Sequence, residues 1–95
     1  MYFLLFYDYV PNIVDRRAPF REAHLALARA AQARGELLLG GAYGDTVDGA
    51  LLVFRAAGAS VVEEFVRQDP YVQNGLVPSW RIRPYTVVTG TCHQP

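Results

Sequence analysis

A four-stranded antiparallel sheet with two helices on one face, an α+β domain, is the fold this chain predicts. Three observations carry that reading. Short apolar runs and two amphipathic stretches follow one another in the order β-α-β-β-α-β. Glycine and proline signals separate them. No internal repeat, low-complexity segment or linker interrupts the 95 residues, so residues 1–95 read as one domain with a loose tail over 91–95.

Tyr2 to Tyr9 is rich in strand formers and too short for a helix. Tyr2, Leu4 and Phe6 fall on one side and Phe3, Leu5 and Tyr7 on the other, so both faces are apolar. Pro11-Asn12 ends the strand. Asp15 can cap the first helix, or the helix can start at Ala18 or Pro19, since proline is tolerated in a first turn. Gly35 stops it as the residue just past the C-cap. At 100° per residue from Phe20, the stretch collects Ala23, Leu27, Ala30 and Ala31 into a buried stripe, with His24 set into the same apolar face about 40° from its centre.

Glu36 to Gly40 reads as the second strand and Ala50 to Arg55 as the third. Between them, Gly41 to Gly49 is rich in glycine and aspartate and reads as a turn. Ser60 with Glu63 forms a capping box, which sets the second helix at Val61 to Gln68. Asp69-Pro70 breaks it, and Tyr71 to Pro78 is a loop with room for one helical turn. Trp80 to Thr89 is the last strand, and Pro84 inside it predicts an edge position or a bulge. Two interleaved right-handed crossovers give a ferredoxin-like sheet of order 4-1-3-2.

Two helices cover only one face of such a sheet. Yet the first strand is apolar on both sides, and ELLLG and ALLVF are continuous rather than alternating. Left in water, the second face would be a larger apolar patch than monomers usually tolerate. The expectation is a homodimer, or a higher homo-oligomer, in which two sheets pack face to face.

Apolar residues make up 52% and charged residues 19% of the chain, a globular balance. Nine basic residues, all arginine, balance nine carboxylates. That neutrality predicts no nucleic-acid partner, because such binding draws on surplus positive charge. No apolar run approaches the roughly 18 residues of a membrane span. MYFLLFYDYV lacks the basic lead and the small-residue cleavage site of a signal peptide and reads as a strand. A single cysteine, Cys92, closes no internal disulfide, so the cytoplasm is the expected compartment.

An imidazole on a buried helix face is expensive unless a polar group answers it. The topology brings Asp8, Arg21, His24, Tyr43, Asp45, Asp69 and Arg81 toward one end of the sheet. A His24–Asp69 pair would fix the imidazole tautomer and leave the other nitrogen for proton transfer. Arg21 could hold an anionic substrate or turn the carboxylate. The structural alternative makes His24 a core histidine bonded to a backbone carbonyl, with Asp69 ending a helix. Tyr7 and Tyr71 are candidates to line a pocket, since a buried phenol needs a partner for its hydroxyl. GAYGD lacks the lysine and the following helix of a phosphate loop. Cys92-His93 falls short of the ligands zinc requires. No metal or other cofactor is expected.

Arg21-x-x-His24-Leu25, Gly35 before a strand, Gly40-Gly41 after it, Asp69-Pro70-Tyr71 after the second helix, then Gly75 and Pro84-Tyr85 together resemble the YciI-like family. The resemblance covers about Met1 to Val88. It implies a dimeric α/β-barrel of ferredoxin-like subunits, with an active site built on the helix-one histidine and the Asp-Pro-Tyr aspartate, here His24 and Asp69. Related proteins include dehydrochlorinases of chlorinated hydroquinones, and the wider superfamily holds muconolactone isomerases and heme-processing monooxygenases. This chain departs at Gly40-Gly41-Ala42, where many relatives carry proline after the glycines.

The resulting expectation is a cofactor-independent lyase or isomerase acting on a small cyclic or aromatic compound. His24 and Asp69 would be catalytic, and Arg21, Tyr7 and Tyr71 would bind substrate. The alternative is a dimer that holds a small ligand, or serves as a scaffold, without chemistry.

Overall fold

The computed structural model describes residues 1–91, so Cys92 and His93 lie outside the described residues. It contains β1 (Tyr2–Asp8), α1 (Ile13–Arg16), a 3₁₀ turn (Ala18–Phe20), α2 (Arg21–Ala33), β2 (Leu37–Tyr43), β3 (Gly49–Arg55), α3 (Ala59–Gln68), α4 (Pro70–Gln73) and β4 (Ser79–Tyr85). The four strands form one antiparallel sheet of order β2-β3-β1-β4, the 4-1-3-2 arrangement expected. β4 is an edge strand, which accommodates Pro84 opposite Phe3.

The entry to the first long helix differs from the sequence reading. Asn12 takes a left-handed conformation at φ 64° and turns the chain into the short α1. Pro19 then sits in a 3₁₀ turn, and α2 starts only at Arg21. A proline without an N–H, which also restricts the residue before it, keeps one helix from running through Asp15 to Arg34. The far end behaves as expected. Gly35, at φ 78°, donates to the Gln32 carbonyl and Glu36 donates to the Ala31 carbonyl, a Schellman closure.

The stripe on α2 is rotated from the predicted one. His24, Leu25, Leu27, Ala28 and Ala31 face inward to varying depth, while Ala23 and Ala30 are exposed. The spacing 24-27-28-31 is a helical face in its own right, so the histidine belongs to the stripe rather than intruding on it. α3 starts at Ala59 with Gly58 as an extended N-cap and no side-chain cap. Ser60 already lies inside the first turn, so the expected capping box with Glu63 does not form.

Phe3, Leu5, Tyr7, Leu37, Ala50, Leu52 and Phe54 make the buried side of the sheet, covered by Ala31 of α2 and Val62, Phe65 and Val66 of α3. Phe54 and Phe65 meet edge to face at 5.2 Å. Register places Leu4, Phe6, Leu51, Val53, Leu39, Tyr43 and Tyr85 on the opposite side. Leu39 there is 69% exposed, and the Arg81 guanidinium lies 4.3 Å from the Phe6 ring centre.

β2 runs three residues beyond the expected Gly40 and absorbs the first part of the glycine stretch. Leu37 pairs with Phe54 and Leu39 with Val53, so Leu38 is an extra residue, a bulge. The bulge resets the alternation and turns Gly40 and Ala42 to the helix side, opposite Leu52 and Ala50. Gly44 turns the hairpin at φ 107°, and a Cβ there would meet the Thr46 carbonyl oxygen at 2.5 Å. Gly44→Ala should therefore cost about 1–3 kcal/mol in urea unfolding, whereas Gly41→Ala, with open space at the Cβ position, should stay within about 0.5 kcal/mol of the parent.

Candidate functional site

Asp69 is the hinge between two helices. Pro70 at the first position of α4 ends α3 and holds Asp69 extended, at φ −73° and ψ 119°. From there its side chain caps α4, with Oδ1 accepting the Tyr71 N–H at 3.0 Å. The same oxygen lies 2.9 Å from His24 Nδ1, and Oδ2 accepts the Tyr7 hydroxyl at 2.7 Å. Asp69 is fully buried. A backbone N–H, a phenol and an imidazole converge on a carboxylate that only accepts, so Nδ1 carries the proton.

His24 enters this arrangement from the first turn of α2. Its ring stacks on Tyr71 at 3.9 Å between centroids and 7° between planes, and Tyr9 meets Tyr71 edge-on at 6.2 Å. The imidazole is thus fixed along its face by Tyr71 and along its edge by Asp69. Among the described residues no hydrogen bond involves Nε2. With Nδ1 committed, Nε2 is the nitrogen left for a ligand.

His24 belongs to the wall of a cavity of about 430 Å³ between α2 and β2. The size suits a small molecule. The space exists because the facing side chains are small: Ala28 on α2, Gly40 and Ala42 on β2 and Ala50 on β3. Polar lining comes from Tyr9, Tyr71, Arg17 and Arg21 at the end next to His24, and from Arg29 and Gln32 further along α2. Among the described residues no cluster of three metal-type side chains occurs, and no helix is long and apolar enough to cross a membrane.

The residues singled out in the sequence divide as follows. His24 and Asp69 meet, and Arg21 and Tyr71 line the cavity. Tyr7 does not: it is fully buried, and its hydroxyl donates to Asp69 Oδ2. Burial, reinforced by the neighbouring carboxylate, pushes the Tyr7 phenol far above its usual range, which keeps it a donor. Asp8 instead accepts from Ser79 Oγ at 2.6 Å, and Arg81 lies over Phe6. Tyr43 packs over Gly49, and Asp45 is exposed in the hairpin turn. Sequence reasoning missed Tyr9 and Arg17. Their only signal is proximity in sequence to Tyr7 and Pro19, and it takes the turn through Asn12 to bring them to the cavity.

A ferredoxin-like α+β domain with a histidine and an aspartate joined beside a cavity is what the fold and site define. A family model for the YCII-related domain matches residues 1–86, and the chain belongs to that family. It is 27% identical over 97 residues to an uncharacterized protein of Haemophilus influenzae, covering 93% of this chain and 99% of that one. A similar solved structure is the 5-chloro-2-hydroxyhydroquinone dehydrochlorinase of Burkholderia phenoliruptrix AC1100 in complex with 2,5-dihydroxybenzoquinone. It has a TM-score of 0.76 and 24% identity, and the match covers 90% of this chain and 94% of that one.

The Tyr7–Asp69 bond gives a direct test. Tyr7→Phe keeps the ring but leaves Oδ2 without a donor in a dry interior. It should lower unfolding free energy by about 1–3 kcal/mol in urea titration while the far-ultraviolet dichroism stays that of the parent.

Proposed function

We propose that this protein is a cofactor-independent lyase or isomerase that moves a proton on a small oxygenated ring compound. The observation that carries the reading is the His24–Asp69 contact at 2.9 Å, made through Nδ1 by a histidine that lines the cavity. Nε2 takes a proton from the bound ring. The electron pair of the broken bond either expels a leaving group, as in an elimination, or is reprotonated at another carbon, as in an isomerisation. In both cases the proton leaves from Nε2, either to the departing group or back to the ring. Asp69 holds the imidazole in register and offsets its charge while the proton is on it. Arg21 and Tyr71 contribute to binding, and Tyr7 acts behind Asp69. The dehydrochlorinase named above acts on an aromatic compound, which supports this class of chemistry on this fold.

The test follows hydrogen exchange. Incubated in heavy water with a panel of hydroxylated and chlorinated ring compounds, the protein should catalyse deuterium incorporation or elimination on at least one. His24→Gln should lower that rate by about 10²–10⁴-fold, and Asp69→Asn should lower it as well while the protein stays folded. Equal rates in parent and His24→Gln would overturn the assignment. Ligand binding without exchange on any compound would favour the non-catalytic alternative.

The working form we propose is a homodimer, with the face bearing Leu4, Phe6, Leu39, Leu51 and Val53 laid against the same face of a second copy. An apolar surface of that kind is costly in water. Sedimentation equilibrium at micromolar concentration should give twice the chain mass, and Leu39→Glu with Val53→Glu should shift it to one chain. A parent that sediments as a single chain would reject the pairing.

A further inference from the structure

Arg17, Arg21 and Arg29 line the cavity beside His24, and no aspartate or glutamate does. Among the described residues none of these three arginines lies in an ion pair. The pairs that form use Arg34 with Glu36, Arg67 with Glu64, and His24 with Asp69. An overall neutral chain has therefore gathered three uncompensated cations at one concavity, where low-dielectric walls strengthen their field.

A second, independent feature lies at the same place. Tyr71 is 2% exposed, and its hydroxyl is buried with no well-formed hydrogen bond, although the Arg21 guanidinium stands near enough to act on it as a donor. Interiors seldom leave a phenol unanswered. The neighbouring hydroxyl of Tyr7 has its carboxylate, so the contrast is local. Tyr71 is fixed by its stack on His24 and its edge contact with Tyr9 and cannot swing away to find a partner. Burial raises the Tyr71 phenol above its usual range while Arg17 and Arg21 pull it back, and the same two arginines act on Tyr9. Both guanidinium groups therefore stand at the aromatic end of the cavity. Arg17 is half-buried and Arg21 exposed, so either can shift to admit an oxygen atom.

We infer that the cavity takes a planar ring bearing a negative charge, its anionic oxygen held between Arg17 and Arg21 and accepting the Tyr71 hydroxyl, its ring beside His24. The inference takes its cavity from the proposed function and adds the charge of the occupant. The anion site itself stands on the arginines and Tyr71 and does not need His24 to be catalytic. The oxygen is that of a ring carboxylate or of an ionised ring hydroxyl, which present the same chemistry to a guanidinium pair.

The experiment measures calorimetric affinity of the full chain, at mildly alkaline pH, for benzoate against neutral benzamide and for 4-nitrophenolate against neutral 4-nitroaniline. The anion of at least one pair should bind about tenfold or more tightly than its neutral counterpart, the ratio expected from a charge-assisted bond. Which pair shows the larger ratio distinguishes carboxylate from ring oxygen. Arg17→Gln and Arg21→Gln should each remove most of that preference. Arg16→Gln, one residue outside the cavity lining, should keep it. Tyr71→Phe should weaken the anion severalfold while leaving the melting temperature of the free protein close to that of the parent, because the hydroxyl it deletes makes no well-formed hydrogen bond there. The inference is read from binding by the parent and the arginine variants alone, so failure of the hydrogen-exchange test would not touch it. Anions binding no better than neutral rings, Arg16→Gln matching the other two arginine variants, or a Tyr71→Phe protein that melts several degrees lower would each overturn it.

Discussion

The site depends on one buried carboxylate having no partner but the protein. Asp69 is closed off from water, and an ion in that position survives only when donors surround it. The donors come from three separate elements: Tyr7 on β1, His24 on α2 and the Tyr71 N–H on α4. Sheet, long helix and short helix are thus tied to one point, and moving any of them strands a charge. That interdependence gives the imidazole a fixed tautomer and a fixed direction. A surface histidine beside a surface aspartate would have neither, because solvent would compete for every bond.

The cavity has the opposite origin, an absence of side chains. On the helix side of β2 and β3 the positions past the bulge are Gly40, Ala42, Leu52 and Ala50, and α2 faces them with Ala28. Large residues at these places would extend the core that Phe54, Phe65 and Leu5 fill elsewhere. Packing one half of the helix layer tightly and leaving the other half small yields a rigid wall beside an open volume. The tightly packed half carries the Asp69 network, so His24 is held by the well-packed part of the protein.

What the sequence makes legible here is what short-range chemistry decides. Gly35 closes α2 because only glycine sits easily at that positive φ, and Pro84 marks an edge because it cannot donate to a second neighbour. The strand order follows from chain direction and crossover handedness, and it brings His24 and Asp69 to one end of the sheet. Other features are settled between elements. ELLLG reads as one uniform run, so the bulge at Leu38 leaves no trace in it, although it decides which way Gly40 and Ala42 point. The stripe on α2 is another such feature, since Ala23 and Ala30 are apolar in sequence yet exposed in the fold. The buried face is set by what lies opposite, and opposite His24 lies a carboxylate rather than a greasy wall. Tyr7 was expected at the pocket because a phenol wants a partner. It has one, but on the interior side.

The two faces of the sheet carry separate demands. The helix side holds the Asp69 network, the cavity and its arginines. The other side is apolar through Leu4, Leu51 and Val53 and exposed at Leu39. Side chains alternate across a strand, so β1 serves both at once: Tyr7 reaches inward to Asp69, and Phe6 beside it points outward under Arg81. A register slip of one residue would exchange them, placing a phenylalanine against the carboxylate and a tyrosine under the guanidinium. The pairing of β1 with β3 and β4 is therefore specified twice, by burial and by the chemistry of a single acid. Changes confined to the outer face leave that acid and its donors in place.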